Sequence, residues 1–508
     1  MVTAGIVLSR LVGLVRQRVS AHYFGTSAFA DVIAAAFRIG NVVQNLLGEG
    51  TLSASFIPVY AKLRAAGRDD EAARFAQSAL GLLIAAVLVL SGLGVALAPW
   101  VTLLVAPGFE PDKLAVTARL VRIVFPMTGL LVLCAWALGV LNAHRRFFLP
   151  YAAPVIWSAA QIAALLVAGS WLGQQGEPLA QALSWGALAG AGVELALLME
   201  RARPLVGAIR PRLTLADEWL REAIRRLPGA LLGRGVIQLS GLIDTLLVSF
   251  LGTGANATFA YAQMLYLLPM SLLGTGEAAA SLPEMAGYSA DADTERRNAL
   301  LRRRLGAGLS RTAVLAVPTM VALILLGRET IALLLQTGKF DRSSTERVAA
   351  VLAIYGFALL ANASGRLFAT ASFALGDTRG PGRYALVRMV ASTAVALALM
   401  QPLGVVGVVV GAMSAGWLEA VLLGRRTRRA LGGLGLAQVR FGRLGALAAV
   451  NAAVPLGVRW LLGWGLGEGF ASSPGGSALV LAALAASFAV AAPALGLFEL
   501  RSLIGRGR

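Results

Sequence analysis

Cysteine is almost absent from this 508-residue chain: Cys134 stands alone, so neither an internal disulfide nor a cysteine-based metal site can form. Histidine is nearly as scarce, and His22 and His144 leave no cluster suited to metal binding or acid–base chemistry. Acidic residues are few, 26 Asp and Glu against 45 Lys and Arg, and charges of both signs make up only 14% of the chain. What takes their place is apolar: 57% of residues are hydrophobic and the mean hydropathy is +0.73, well above soluble domains. The composition is that of an all-α polytopic membrane protein. The net charge of +19 does not mark a nucleic-acid surface, because the basic residues fall in short clusters between apolar runs. No small-residue cleavage site follows the first apolar stretch, so that stretch is expected to remain as a helix.

Apolar runs of about 20 residues, each closed by Gly, Pro or charge, predict about fourteen crossings. They fall at 3–23, 28–56, 73–104, 115–141, 150–173, 179–199, 227–251, 257–284, 305–334, 347–374, 384–401, 404–424, 444–465 and 477–498. The connections alternate in charge. Lys62/Arg64/Arg68, Arg145/Arg146, Arg201 to Arg226, Arg296 to Arg304, Arg379/Arg383, Arg425 to Arg443 and the tail form a basic set, and the intervening turns are short and poor in Lys and Arg. Positive-inside logic places the basic set, with both termini, in the cytoplasm.

An internal repeat divides the chain. Phe24-Gly-Thr-Ser-Ala-Phe-Ala resembles Leu251-Gly-Thr-Gly-Ala-Asn-Ala, Ser55-Phe-Ile-Pro58 resembles Ala280-Ser-Leu-Pro283, and Trp100 to Phe109 resembles Thr330 to Phe340. Six crossings separate the copies, so both enter the membrane in the same sense, as two pseudo-symmetric six-helix lobes around a central cavity. The expected domains are residues 1–203, a cytoplasmic amphipathic linker 204–226 on the membrane surface, a second lobe 227–430, and two further helices with the tail, 431–508.

Charges inside the crossings are the candidates for function. Arg10, Arg16 and Arg18 share the first helix, and Asp31 and Arg38 the second. One such charge at the bilayer centre costs roughly 2.5 to 3.5 kcal/mol, so three on one helix are expected to line a wet cavity rather than face lipid. Asp31 returns to the depth of Arg18 and is expected to pair with it, with Glu49 as the remaining acid for Arg10, Arg16 and Arg38. An excess of guanidinium groups suits a diphosphate, whose oxygens they bind in a bidentate fork. Gly40, Gly48 and Gly50 either bend the second helix or let a neighbour approach, and Leu267 to Gly274 around Pro269 is an expected kink. Arg234 and Asp244 sit on the seventh helix and Arg366 on the tenth; Asp244 is either a cation or proton site or a structural partner of Arg234 or Arg366.

Ser9-Arg10-Leu-Val-Gly-Leu-Val-Arg16, Phe24-Gly25, Ala30-Asp31, Ala36-Phe37-Arg38-Ile39, Asn41, Glu49-Gly50 and Phe56-Ile-Pro-Val59 resemble the opening signature of the MurJ/MviN family. Ala106-Pro-Gly-Phe109, Val140-Leu-Asn142 and Thr337-Gly-Lys-Phe340 agree with it. That resemblance implies a lipid II flippase of peptidoglycan synthesis in the bacterial inner membrane, within the MOP exporter superfamily. It implies a lipid-linked oligosaccharide as partner and implicates Arg10, Arg16, Asp31 and Glu49 at the diphosphate. The chain departs from the family at Gln44, Asn45 and Met264, which are neutral where the family is usually cationic, and near Asp244, where a helix-11 sodium partner falls at Ala396. Arg18 and Arg234 are candidates to compensate.

Several functions remain open on these residues. A lipid II flippase working by alternating access is favoured, with another polyprenyl-diphosphate glycan or a cation-coupled small molecule of the drug-exporter type as alternative cargo. An enzyme acting on polyprenyl phosphates finds no carboxylate or histidine cluster to work with, and a scaffold that has lost transport is the last reading. No cofactor is called for; Na+, H+ or the membrane potential would drive transport, and the oligomeric state is open, a monomer included.

Overall fold

The structure, a computed structural model, describes residues 2–207, 217–289, 291–377 and 379–497; the side chains of residues 2–4, 49–54, 226, 228–234, 237, 272 and 275 also lie outside the description. Within it the protein is all-α, as expected, and an isolated antiparallel bridge joins Thr337 to Phe340. The chain forms two compact units, Met1–Ala257 with Thr337–Phe340, and Thr258–Gln336 with Asp341–Arg508.

The first unit holds α1 (Val2–Phe24), α2 (Ala28–Leu47), α3 (Glu49–Ala65), α4 (Asp69–Ala96), α5 (Ala98–Val105), α6 (Pro111–Ala143), α7 (Phe148–Ala152), α8 (Pro154–Leu165), α9 (Gly176–Val206) and α10 (Glu218–Ser249). The centre is α6, whose apolar span is 83% buried. Lipid tails are as apolar as leucine, so helices in a bilayer associate through close packing rather than the hydrophobic effect. Small residues provide it: Gly94 lies against the Phe125 ring and Gly129 against Val87. Phe56 stacks between Tyr60 and Phe75, and the fully buried Trp136 donates its indole N–H to the Ala76 carbonyl at 3.0 Å.

The glycines of the second helix divide between the two roles set out for them. Gly40 lets α2 approach Thr128 and Val124 of α6, whereas Gly48, with ψ −114°, ends α2 and starts α3. Pro58 lies inside α3 without ending it. The expected amphipathic surface helix is instead the opening of α10, capped by the Asp217 carboxylate on the amides of Trp219 and Leu220. Its apolar face, Leu220 and Ala223, is buried in the core of the first unit, and the Trp219 indole donates to Glu71. By packing, therefore, α10 belongs with the helices before it, although the repeat begins at residue 227.

Where α3 and α6 end, Arg64 donates to His144 Nδ1 at 2.6 Å, which leaves Nε2 to carry the proton toward the Tyr60 hydroxyl at 3.0 Å. Burial first, then the charges of Arg64 and Arg146, hold this imidazole below its ordinary value. The unfolded chain thus binds the extra proton more readily. Stability from this neutral histidine is complete above about pH 6.5 and is lost as pH falls below that value. The thermal midpoint is expected to drop between about pH 7.5 and about pH 5.5, and more steeply than in His144→Gln; equal slopes would assign the effect to other groups.

The second unit contains α11 (Ala255–Met270) beyond its first turn, then α12 (Glu277–Ser289), α13 (Thr294–Ile324), α14 (Gly327–Leu335), α15 (Arg342–Ala374), α16 (Arg379–Leu403), α17 (Val405–Leu431), α18 (Phe441–Leu466), α19 (Glu468–Ala471) and α20 (Pro474–Ala494). The kink expected around Pro269 is a π-helical turn over Ser271–Gly276, consistent with the backbone donor that proline lacks. The buried Arg304 binds both Glu277, at 3.0 Å, and Glu284. Gly407 and Gly411 bring α17 onto the α16 backbone. Among the described residues ten helical spans are long and apolar enough to cross a membrane: α4, α6, α7 and α8 with the π-helical extension to Trp171, α9, α13, α15, α16, α17, α18 and α20. The other four crossings read from the sequence correspond to α1, to α2 with α3, to α10, and to α11 with α12.

Candidate functional site

Those four segments carry the candidate charges. On α1, Arg10 is exposed. Arg16 turns toward α8, its guanidinium 4.6 Å from the centre of the Trp157 ring and 3.4 Å from Gln161 Oε1. Gln161 is itself fixed by donating to the Trp157 carbonyl at 3.2 Å, one helical turn back. Cation–π contact and a neutral amide thus hold Arg16 without cancelling its charge. Arg18 is half-buried nearly two turns before the end of α1.

Asp31 is fully buried, and its partner is not the expected Arg18. Lys113, from the first turn of α6, reaches Oδ2 at 2.6 Å; the Gly254 amide donates to the same oxygen at 2.7 Å and the Ala257 amide to Oδ1 at 2.8 Å. The two amides open α11, where unpaired N–H groups and the helix dipole favour an anion. A carboxylate so supplied has no need of a guanidinium. Lys113 in turn lies 4.0 Å from the centre of the Phe109 ring.

Close backbone contacts surround this pair. Gly108 donates to Ser249 Oγ at 3.0 Å, and a Cβ there would strike the Ser249–Phe250 backbone. Gly254, at φ +86°, leaves no room for a side chain against the Thr26 carbonyl, and Gly25, at φ +55°, none against that of Lys339. The Lys339 amide completes the cluster by donating to the His22 carbonyl at 2.8 Å. The Pro-Gly-Phe and Thr-Gly-Lys-Phe motifs are thereby explained as tight turns that interlock at one end of the first unit.

Arg38, two turns beyond Asp31 on α2, lays its guanidinium over Gly241 of α10; a Cβ at Gly241 would sit 1.6 Å from Nη2. Asp244 is buried one turn further along α10. Glu49 and Arg234 lie outside the described residues as far as their side chains are concerned. In the second unit Arg366 is exposed, with its Cδ near Gly274, and Tyr266 accepts from Asn362 at 2.7 Å. Ala396 is fully buried on α16 and offers no side-chain oxygen. Among the described residues no group of three or more His, Cys, Asp and Glu is placed to hold a metal ion.

The sequence reading missed Lys113, Trp157 and Gln161. Lys113 stood beside Asp112 in a turn counted as poor in basic residues, which hid it. Trp157 and Gln161 are spaced i, i+4 on an apolar helix, the spacing of neighbours on one helical face.

This all-α bundle is a fold found in solved membrane transporters. Two structures share it: a MurJ lipid II flippase in an inward closed conformation, with TM-score 0.78 and 19% identity over 99% of both chains, and an inward-facing MATE multidrug transporter, with TM-score 0.67 and 17% identity over 84% of this chain and 95% of that one. At those identities the likeness is one of fold. Residues 20–473 match the family model described as lipid II flippase MurJ. The probable lipid II flippase MurJ of Rhizobium meliloti (strain 1021) is 33% identical over 82% of this chain and 77% of its own length; the lipid II flippase MurJ of Burkholderia cenocepacia is 32% identical over 75% and 73%. The chain belongs to the MurJ lipid II flippase family.

Proposed function

We propose that this chain carries lipid II, the lipid-linked precursor of peptidoglycan, across the bacterial inner membrane by alternating access, and that its helix-borne arginines receive the diphosphate. Family membership supports the cargo. For the site, the observation that carries the reading is Arg16: a guanidinium with five N–H donors, held between Trp157 and the neutral Gln161 on helices that belong in a membrane. An unneutralised cation there is costly unless an anion visits it. Arg38, lying over Gly241, is a further guanidinium on these helices, and Arg10 and Arg18 extend the row along α1. Asp31 acts differently: with Lys113 and the start of α11 it fastens the interlocked turns at one end of the first unit.

Alternation of the basic loops supports entry of cargo from the cytoplasmic side, with both termini there. Coupling draws on Na+, H+ or the membrane potential, and Asp244, a buried carboxylate on α10, is the group an ion would meet. The resemblance that would make Asp244 a sodium ligand puts Ala396, which has no side-chain oxygen, at a partner position, and this favours a proton or the potential over Na+. A second cargo, another polyprenyl-diphosphate glycan, is favoured by one observation: Gln44 and Met264 are neutral where the family signature is usually cationic.

The deciding experiment is complementation in cells depleted of their own lipid II flippase, with membrane expression of this chain checked. Rescue is the expected result. Failure by a well-expressed protein would overturn the lipid II assignment and favour the second cargo.

A further inference from the structure

The second unit contains a cavity of about 550 Å3 lined by residues of that unit. It has the size of a site for a small organic ligand. Its walls come from α13, α15, α17 and the start of α18. On α17 the lining residues are Trp417, Ala420, Val421, Gly424, Arg425 and Arg428, a spacing that draws one stripe along one face of the helix. Across the cavity Leu309, Ala313 and Phe368 present only hydrocarbon.

The stripe is apolar along its length and cationic at one end. Arg425 and Arg428 are exposed, and neither has an ion-pair partner among the described residues. Arg426, between them in sequence, faces elsewhere and is held by Asp377 at 2.6 Å. At the other end the Trp417 ring is fixed by its N–H to the Phe357 carbonyl, at 3.2 Å. From Arg428 to Trp417 the helix rises about 16 Å, about half of a hydrocarbon core some 30 Å thick. The groove is therefore one leaflet deep. Its lips, Trp417, Val421 and Phe441, are 42%, 44% and 64% exposed, so it opens sideways along spans that meet lipid.

We propose that this groove is a resident site for an anionic glycerophospholipid, with one acyl chain along the α17 stripe toward Trp417 and the headgroup phosphate on Arg425 and Arg428. The apolar body accepts a chain of any lipid, but the two guanidiniums select the headgroup: they bind phosphate oxygens in a fork and repel the quaternary ammonium of a zwitterionic lipid. The site is independent of the transport reading, since it uses no residue assigned to the cargo.

The test uses the purified full chain in neutral detergent and phospholipids brominated on one acyl chain, which quench nearby tryptophan. Trp417→Phe isolates the Trp417 signal from the other eight of the nine tryptophans. Brominated phosphatidylglycerol is expected to quench Trp417 at a concentration about 25-fold below that for brominated phosphatidylcholine, each arginine near an anionic headgroup being worth about five-fold. R425Q/R428Q is expected to erase that preference. Equal quenching by the two lipids in the wild-type chain, or a preference that survives in the double variant, would overturn the proposal. So would displacement of the brominated phosphatidylglycerol by an equimolar polyprenyl diphosphate, which would give the groove to the tail of the transported lipid. Should the double variant not fold, native mass spectrometry of the wild type decides: one phosphatidylglycerol retained per chain, and no phosphatidylcholine, supports the site, whereas equal retention overturns it.

Discussion

Asp31→Ala is expected to abolish transport and to lower the stability of the purified protein by about 3–5 kcal/mol, the range for breaking a buried ion pair by removing one partner. The loss has three parts: the Lys113 ammonium is left buried against Phe109, and the Gly254 and Ala257 amides lose their acceptors. Asp31→Asn should fall between, because its amide keeps one oxygen for one N–H but presents a donor to another. Lys113→Ala should cost less than Asp31→Ala, since the carboxylate keeps both amide donors. Thermal unfolding of the three variants in one detergent checks the ranking. A melting curve for Asp31→Ala that overlays the wild type would show that the carboxylate fastens nothing.

The second large effect is expected at Arg16, in the opposite register. Arg16→Ala should lower flipping of lipid II by roughly 10- to 100-fold, the worth of a charged hydrogen bond of about 1.5–3 kcal/mol, and shift the melting temperature little. Lys at this position retains the charge but not the planar fork or the stacking on Trp157, so it should restore only part of the rate. Flipping is read in vesicles with a fluorescent lipid II, melting in parallel. If Arg16→Ala instead melts early and flips at the wild-type rate per folded molecule, the guanidinium is a packing element between α1 and α8 and the cargo reading of this residue fails.

The ten apolar spans were legible because length and hydropathy suffice to define them. α1, α2 and α11 were legible for another reason: charge in their middle, or a proline, marked them as exceptional. What the residues could not disclose was partnership. The Gly254 and Ala257 amides lie 223 and 226 positions from Asp31 in the chain, and backbone donors leave no trace in side-chain chemistry. Depth alone suggested Arg18, but the carboxylate is satisfied by one ammonium and two amides. Likewise Arg38 was visible as a charge and Gly241 only as a gap, and their coincidence is a matter of packing. Amphipathicity fits a bilayer surface and a protein core equally well, so the residues before 226 could not disclose that Leu220 and Ala223 pack into the core of the first unit.

The burial of α6 has a mechanical consequence. The helix has 33 residues, about 50 Å of rise, and its apolar span is largely wrapped by its neighbours. In α16 and α18 only 17% of the span is buried. A bilayer that thickens or thins therefore exerts its pull on α16 and α18 and barely grips α6. Changes in acyl-chain length should tilt α16 and α18 while α6 keeps its angle within the first unit, so the membrane's own dimensions reach this protein through its least buried spans first.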